Sequence, residues 1–294
     1  MNLKQYLKDR CQLIDNELEK VLPQENEMPF SLHRSMRYSV FAGGKRVRPI
    51  LLLAACEAVG GVIENAILFA CAMEMIHTYS LIHDDLPAMD DDDFRRGNPT
   101  NHKVFGEAVA ILAGDALLTQ AFICMSSNKN IPADRILAVI NEIGICSGSY
   151  GMVGGQVVDM ESEGKGDIDL PTVQYIHTHK TGALIKASVK AGAIVGGATG
   201  TDLEAMVKYG ETIGLAFQIA DDILDIEGTT EELGKDAGSD QARGKATYPA
   251  VIGINESRKR ADELLEIAID AIKPFGEKAE PLREIANYVV RRKS

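Results

Sequence analysis

The sequence predicts an all-α protein organised as one domain over residues 1–294, and three observations carry that prediction. Its 45% hydrophobic residues include only 5% aromatics and no Trp, so the apolar content lies in Ala, Leu, Ile, Val and Met, which suit close helix packing better than a β-sandwich. Apolar residues recur at three- and four-residue spacing over most of the chain, the period of a helix face. The breaks between periodic segments carry turn residues, with no low-complexity tract or repeat that would mark a linker.

Taken in order, the periodicity predicts helices over 2–22, 31–42, 47–59, 62–84, 104–127, 132–146, 171–196, 202–226 and 255–273. Gly43-Gly44 ahead of Pro49, Gly60-Gly61, Gly97-Asn98-Pro99, Asn130-Ile131-Pro132, Gly164 to Pro171 and Gly228 to Gly244 punctuate them. The charge balance, 31 Lys plus Arg against 43 Asp plus Glu for a formal net charge of −12, argues against an extended nucleic-acid footprint. The five cysteines are odd in number and lack C-x-x-C spacing, which predicts reduced thiols in a cytoplasmic protein. No uninterrupted apolar run reaches the ~18 residues of a spanning segment, so no membrane span is expected.

Chemistry concentrates in two acidic clusters. Residues His83 to Asp93 hold six aspartates within ten residues directly after an apolar helix, a block that repels itself unless cations neutralise it. A solvated acidic loop is the plain alternative. A calcium loop is excluded, because Arg95 stands where glycine is required and no Glu closes the loop. Asp221, Asp222 and Asp225 share one helix face amid Ile219, Ile223 and Leu224. Like charges so spaced destabilise a helix by roughly a few tenths of a kcal/mol each. Magnesium, which takes one or two carboxylates and fills its shell with water and phosphate oxygens, would relieve them.

The cations that could meet a diphosphate are local. Gly44-Lys45-Arg46-Val47-Arg48 lies on a glycine turn just before a helix, where backbone N–H groups favour an anion, although the P-loop spacing is absent. Arg95 and Arg96 follow the first acidic block, either as charge balance or as phosphate forks. His77, two helical turns before Asp84, would face the same side, or be an ordinary core histidine. Lys180, Thr181, Gln218 and Lys235 add two cations and two neutral donors.

Together these strings resemble the trans-isoprenyl diphosphate synthases, of the bacterial farnesyl type, nearly from end to end. Asp84-Asp85-x-x-x-x-Asp90 with Arg95-Arg96 is similar to the first aspartate-rich motif in its longer form, and Asp221-Asp222-x-x-Asp225 to the second. Gly155-Gln156-x-x-Asp159, Lys180-Thr181 and Phe217-Gln218 also match in type and order. The resemblance implies an antiparallel helical bundle around a deep central cavity, of the isoprenoid synthase type, usually as a homodimer. It implies that Gly44, Lys45, Arg48, His77 and Arg96 hold isopentenyl diphosphate. Arg95, Lys180, Thr181, Gln218 and Lys235 would hold the allylic partner, dimethylallyl or geranyl diphosphate. The metal ligands would be Asp84, Asp90 and Asp221, supported by Asp85, Asp222 and Asp225.

The implied reaction is magnesium-assisted ionisation of the allylic diphosphate, attack by the isopentenyl double bond and loss of a proton. It needs no Ser, Cys or His nucleophile. Tyr79 and Ser80, about one turn below Asp84, would meet the growing chain. In the resembling family an aromatic residue at the position of Tyr79 favours a fifteen-carbon product, farnesyl diphosphate. A geranylgeranyl synthase and a catalytically silent partner subunit are the alternatives. A terpene cyclase would carry a mixed Asn/Ser/Glu site in place of Asp221 to Asp225. The basic tail Arg291-Arg292-Lys293 reads either as a lid over diphosphate or as the cationic end of a helix.

Overall fold

The computed structural model describes residues 1–165, 168–227, 245 and 247–291; the expected roles of Lys235 and of tail residues Arg292 and Lys293 lie outside them. Helices dominate, in the order α1 (Leu3–Val21), α2 (Phe30–Val40), α3 (Val47–Ala58) and α4 (Ile63–Asp84), then a two-residue hairpin, β1 (Phe94–Arg95) and β2 (Asn98–Pro99). The order continues with α5 (Asn101–Phe105), α6 (Glu107–Ser126), α7 (Ala133–Ser147), α8 (Met152–Ser162) and α9 (Leu170–Ile176), a π-helical turn (His177–Thr181), α10 (Gly182–Gly196) and α11 (Gly200–Glu227). Last come α12 (Tyr248–Ile252), α13 (Ile254–Ala271), a 3₁₀ segment (Lys273–Ala279) and α14 (Glu280–Arg291). This is the all-α architecture expected.

Local chemistry sets several boundaries. The Asn2 side chain accepts the Gln5 N–H at 3.1 Å to open α1, and Asp169 accepts the Thr172 N–H at 3.0 Å to open α9, the usual way to satisfy an orphan donor. Gly197, at φ 92°, closes α10 in the left-handed conformation. Helix α4 packs against α3 and α6, α10 against α3 and α11, and α11 against α13. The interior is aliphatic: Ile50 to Cys56, Phe69 to Ile76 and Ala187 to Val195 contribute buried side chains to one continuous core.

The structure departs from the expected elements in four places. The segment 104–127 is broken at Gly106, whose φ of 82° ends α5 and starts α6. The helix expected over 171–196 is interrupted by the π turn. Helices α8, α12 and α14 are additional. Finally, three stretches, Ile63–Asp84, Glu107–Ser126 and Ala133–Ser162, are long and apolar enough to cross a membrane by length and composition, although isolated charges interrupt them. About two-thirds of the first is buried inside the bundle. The second and third leave Ile111, Leu112, Ile123, Leu137 and Ile145 exposed.

Candidate active site

A cavity of about 530 Å³ opens between α4, α6, α8 and α10. Its polar end is lined by Arg48, His77, Asp84, Gln156, Lys180 and Thr181, and its apolar walls by residues including Leu86, Met89, Ile111, Met152, Val157 and Leu184. Tyr79 and Ser80 line it one turn down α4 from Asp84. Five of the expected substrate and metal residues, Arg48 from α3, His77 and Asp84 from α4, and Lys180 and Thr181 from the π turn, thus meet at one opening.

Asp84 is the centre of the acidic end. Burial pushes its carboxyl above the usual range, and Lys180 opposes that shift; Asp90 and Lys245 also act on it electrostatically. Gln156 Nε2 donates to Asp84 Oδ1 at 2.5 Å, and Lys180 Nζ donates to Asp159 Oδ2 at 2.6 Å. Both contacts depend on Gly155. A Cβ there would sit 2.2 Å from the Lys180 backbone nitrogen, so only glycine lets α8 lie this close to the π turn. The turn itself is a feature frequent at functional sites, and it carries Lys180 and Thr181 to the cavity.

The basic end is built around α3 and the hairpin. Arg48 Nη1 lies 3.3 Å from His77 Nε2. Burial, with Arg48, Arg96 and Arg95 nearby, holds the His77 ring well below its ordinary pKa, so it is neutral beside these cations. Burial also lowers Arg48 to about 10, and its Nε is buried with no hydrogen-bond partner. Gly44, at φ 132°, lies under Arg96, and a Cβ would fall 2.4 Å from that guanidinium. Arg96, itself left-handed at φ 53°, donates to the Gly43 carbonyl. Lys45 is exposed on the same turn.

Several expected site residues are placed elsewhere. Asp85 does not line the cavity: Arg95 Nε donates to it at 2.6 Å, and both border a separate space of about 30 Å³ beneath the hairpin. Asp222 is buried; its Oδ2 accepts from the Tyr248 N–H at 2.9 Å and lies 2.7 Å from His177 Nε2, and its Oδ1 accepts from Gln218 Nε2 at 3.2 Å. The expectation of Asp85 and Asp222 as supporting metal ligands, and of Arg95 and Gln218 as diphosphate donors, meets side chains already engaged within the fold. Asp221 and Asp225 lie on the same helix. Asp159, His177 and Lys245 were not assigned roles from sequence; only the Gly155 to Asp159 string pointed toward one of them.

Among the described residues no three carboxylate, His or Cys side chains form a ready metal cluster. The donor set still fits magnesium, since Asp84, Asp90 and Asp221 offer only hard oxygen ligands and that ion needs few of them when phosphate oxygens and water complete its shell.

A family profile described as Polyprenyl synthetase matches residues 30–287. A dimethylallyltranstransferase of Fischerella ambigua (strain UTEX 1903) is 52% identical over 99% of this chain and 84% of its own length. A geranylgeranyl diphosphate synthase of Cyanophora paradoxa is 51% identical, covering 99% of this chain and 97% of its own. Among solved structures, an FPP/GFPP synthase from Zymomonas mobilis superposes with a TM-score of 0.88 at 40% identity, over 98% of this chain and 99% of that one. With a cavity that is cationic and acidic at one end and apolar below, the chain belongs to the polyprenyl synthetase family and is a prenyl diphosphate synthase.

Proposed function

We propose that the protein condenses isopentenyl diphosphate with dimethylallyl and then geranyl diphosphate, and stops at farnesyl diphosphate. The observation that carries the fifteen-carbon reading is Tyr79, 7% exposed, on the cavity wall one turn below Asp84. Its ring packs edge-on against His83, with centroids 5.7 Å apart, which fixes its position. Ser80 turns its hydroxyl back onto the His77 carbonyl at 2.8 Å and leaves the aromatic as the bulky residue at that level. The relatives include geranylgeranyl synthases, so a twenty-carbon product is the reading to test against.

Isopentenyl diphosphate sits in the basic end, on Lys45, Arg48, His77 and Arg96, with neutral His77 offering a hydrogen bond rather than charge. The allylic diphosphate lies between Lys180, Thr181 and the aspartates. Asp84, Asp90 and Asp221 would hold magnesium, which would supply positive charge opposite the departing pyrophosphate. Lys180 adds fixed positive charge there. Arg95 orients Asp85, and His177, Gln218 and the Tyr248 N–H orient Asp222, so each acidic cluster is held from behind, with Asp225 buried one turn on. Met89, Met152 and Leu184 shield the allylic cation from water.

The exposed apolar face of α6 and α7 is proposed as a homodimer interface, which light scattering on the purified protein checks. Free cysteines, four of them buried, suit a cytoplasmic location. The reaction class itself is tested by incubating the protein with dimethylallyl diphosphate and labelled isopentenyl diphosphate. Label enters an allylic product with magnesium and not with EDTA; no incorporation under either condition would favour the silent partner subunit.

A further inference from the structure

Arg46 and Glu74 form a buried ion pair that does not border the cavity. They are 4% and 2% exposed, and Nη1 of Arg46 lies 2.6 Å from the Glu74 carboxylate. The same guanidinium donates through Nε to Asp15 of α1 at 2.9 Å and through Nη2 to the Val40 carbonyl, the last residue of α2, at 2.7 Å. One side chain therefore ties α1, α2 and α4 together at the root of the Gly43 to Arg48 turn. Glu74 stands three residues before His77 on α4, so the tie reaches the helix that carries the other half of the basic end.

The backbone at Arg46 is left-handed, φ 48° and ψ 35°, a conformation that costs a non-glycine residue energy and persists only where its surroundings enforce it. The enforcement comes from the three helices the guanidinium grips. It fixes the directions of Lys45 before it and Arg48 after it. Charge points the same way. Lys45, Arg46, Arg48 and Arg96 crowd one turn and its neighbour, and Glu74 acts electrostatically on Arg46, Arg48 and Arg96. Direct pairing commits most of that carboxylate to Arg46.

We propose that Arg46, anchored by Glu74 and Asp15, is the positioning residue for the diphosphate of isopentenyl diphosphate, holding Lys45 and Arg48 in place without touching substrate. The inference rests on the reading of the basic end as the isopentenyl site. Lys in place of Arg46 keeps one charge but cannot span Asp15, Val40 and Glu74 together. Arg46→Lys should raise KM for isopentenyl diphosphate roughly tenfold while KM for geranyl diphosphate stays at the wild-type value, since a misplaced binding group acts on its own substrate. Glu74→Gln keeps an acceptor for Arg46 and should give a smaller rise of the same selectivity, which covers the case in which Arg46→Lys fails to fold. A folded Arg46→Lys or Glu74→Gln protein with unchanged KM for isopentenyl diphosphate, or with both KM values rising together as thermal stability falls, would overturn the proposal. Wild-type protein assayed alongside separates the two ideas: no condensation there overturns the functional reading itself.

Discussion

Lys180 and Asp159 are 2.6 Å apart across the contact between α8 and the π turn, and that contact exists only because Gly155 lets the two backbones touch. Gly155→Ala should therefore destabilise the fold by about 1–3 kcal/mol, as overpacking does. It should also lower kcat, because α8 carries Gln156 away from Asp84. Thermal denaturation and steady-state rates check this together; a variant with unchanged melting temperature would show that α8 has room to move.

The two leading aspartates should behave differently. Asp84 faces the cavity, whereas Asp85 is taken by Arg95. Asp84→Asn should cost about 10²-fold or more in kcat, the scale of losing a group that supports transition-state charge. Asp85→Asn should act first on stability, since it leaves Arg95 beside a neutral amide. Equal losses of kcat at equal melting temperature would place both carboxylates on the metal.

Product length should follow Tyr79. Tyr79→Ala should shift the main product from fifteen to twenty carbons or more, while Tyr79→Phe, which keeps the ring, should not. Radiochromatography of dephosphorylated products reads this, and an unchanged fifteen-carbon product from Tyr79→Ala would remove the residue from that role.

His77 predicts a pH dependence. Its folded pKa is held well below the ordinary value of about 6.5, so below that pH the unfolded chain takes up a proton the native state refuses. The stability is present above about pH 6.5 and is lost as pH falls. Between about pH 7.5 and 5.5 the wild type should lose of order 1 kcal/mol more than His77→Gln. Urea unfolding at both pH values measures the difference; parallel losses in the two proteins would contradict it.

Part of the fold was legible because some helices bury a periodic apolar stripe, as α13 does with Ala261, Leu264, Leu265 and Ala268. The exceptions have physical reasons. Periodicity does not register the π turn, which widens one turn inside an otherwise helical run from Leu170 to Gly196. Two glycines and several β-branched residues hid α8, whose existence depends on packing against the π turn. Helix α14, beyond the last expected helix, also carries a signal, with Leu282, Ile285, Ala286 and Val289 buried at helical spacing. At the cavity, residue types and order pointed to Arg48, His77, Asp84, Lys180 and Thr181, which line it. Orientation was not legible: whether Asp84 or Asp85 faces the cavity depends on where Arg95 lands ten residues later, and the engagement of Asp222 depends on His177 and Tyr248, 45 and 26 residues away.

The most direct test of the account is the product made by the wild-type protein from geranyl diphosphate and labelled isopentenyl diphosphate, with magnesium or with EDTA. A single fifteen-carbon product that EDTA abolishes is expected. A twenty-carbon product would contradict the length stop at Tyr79, and no product at all would contradict the condensation itself.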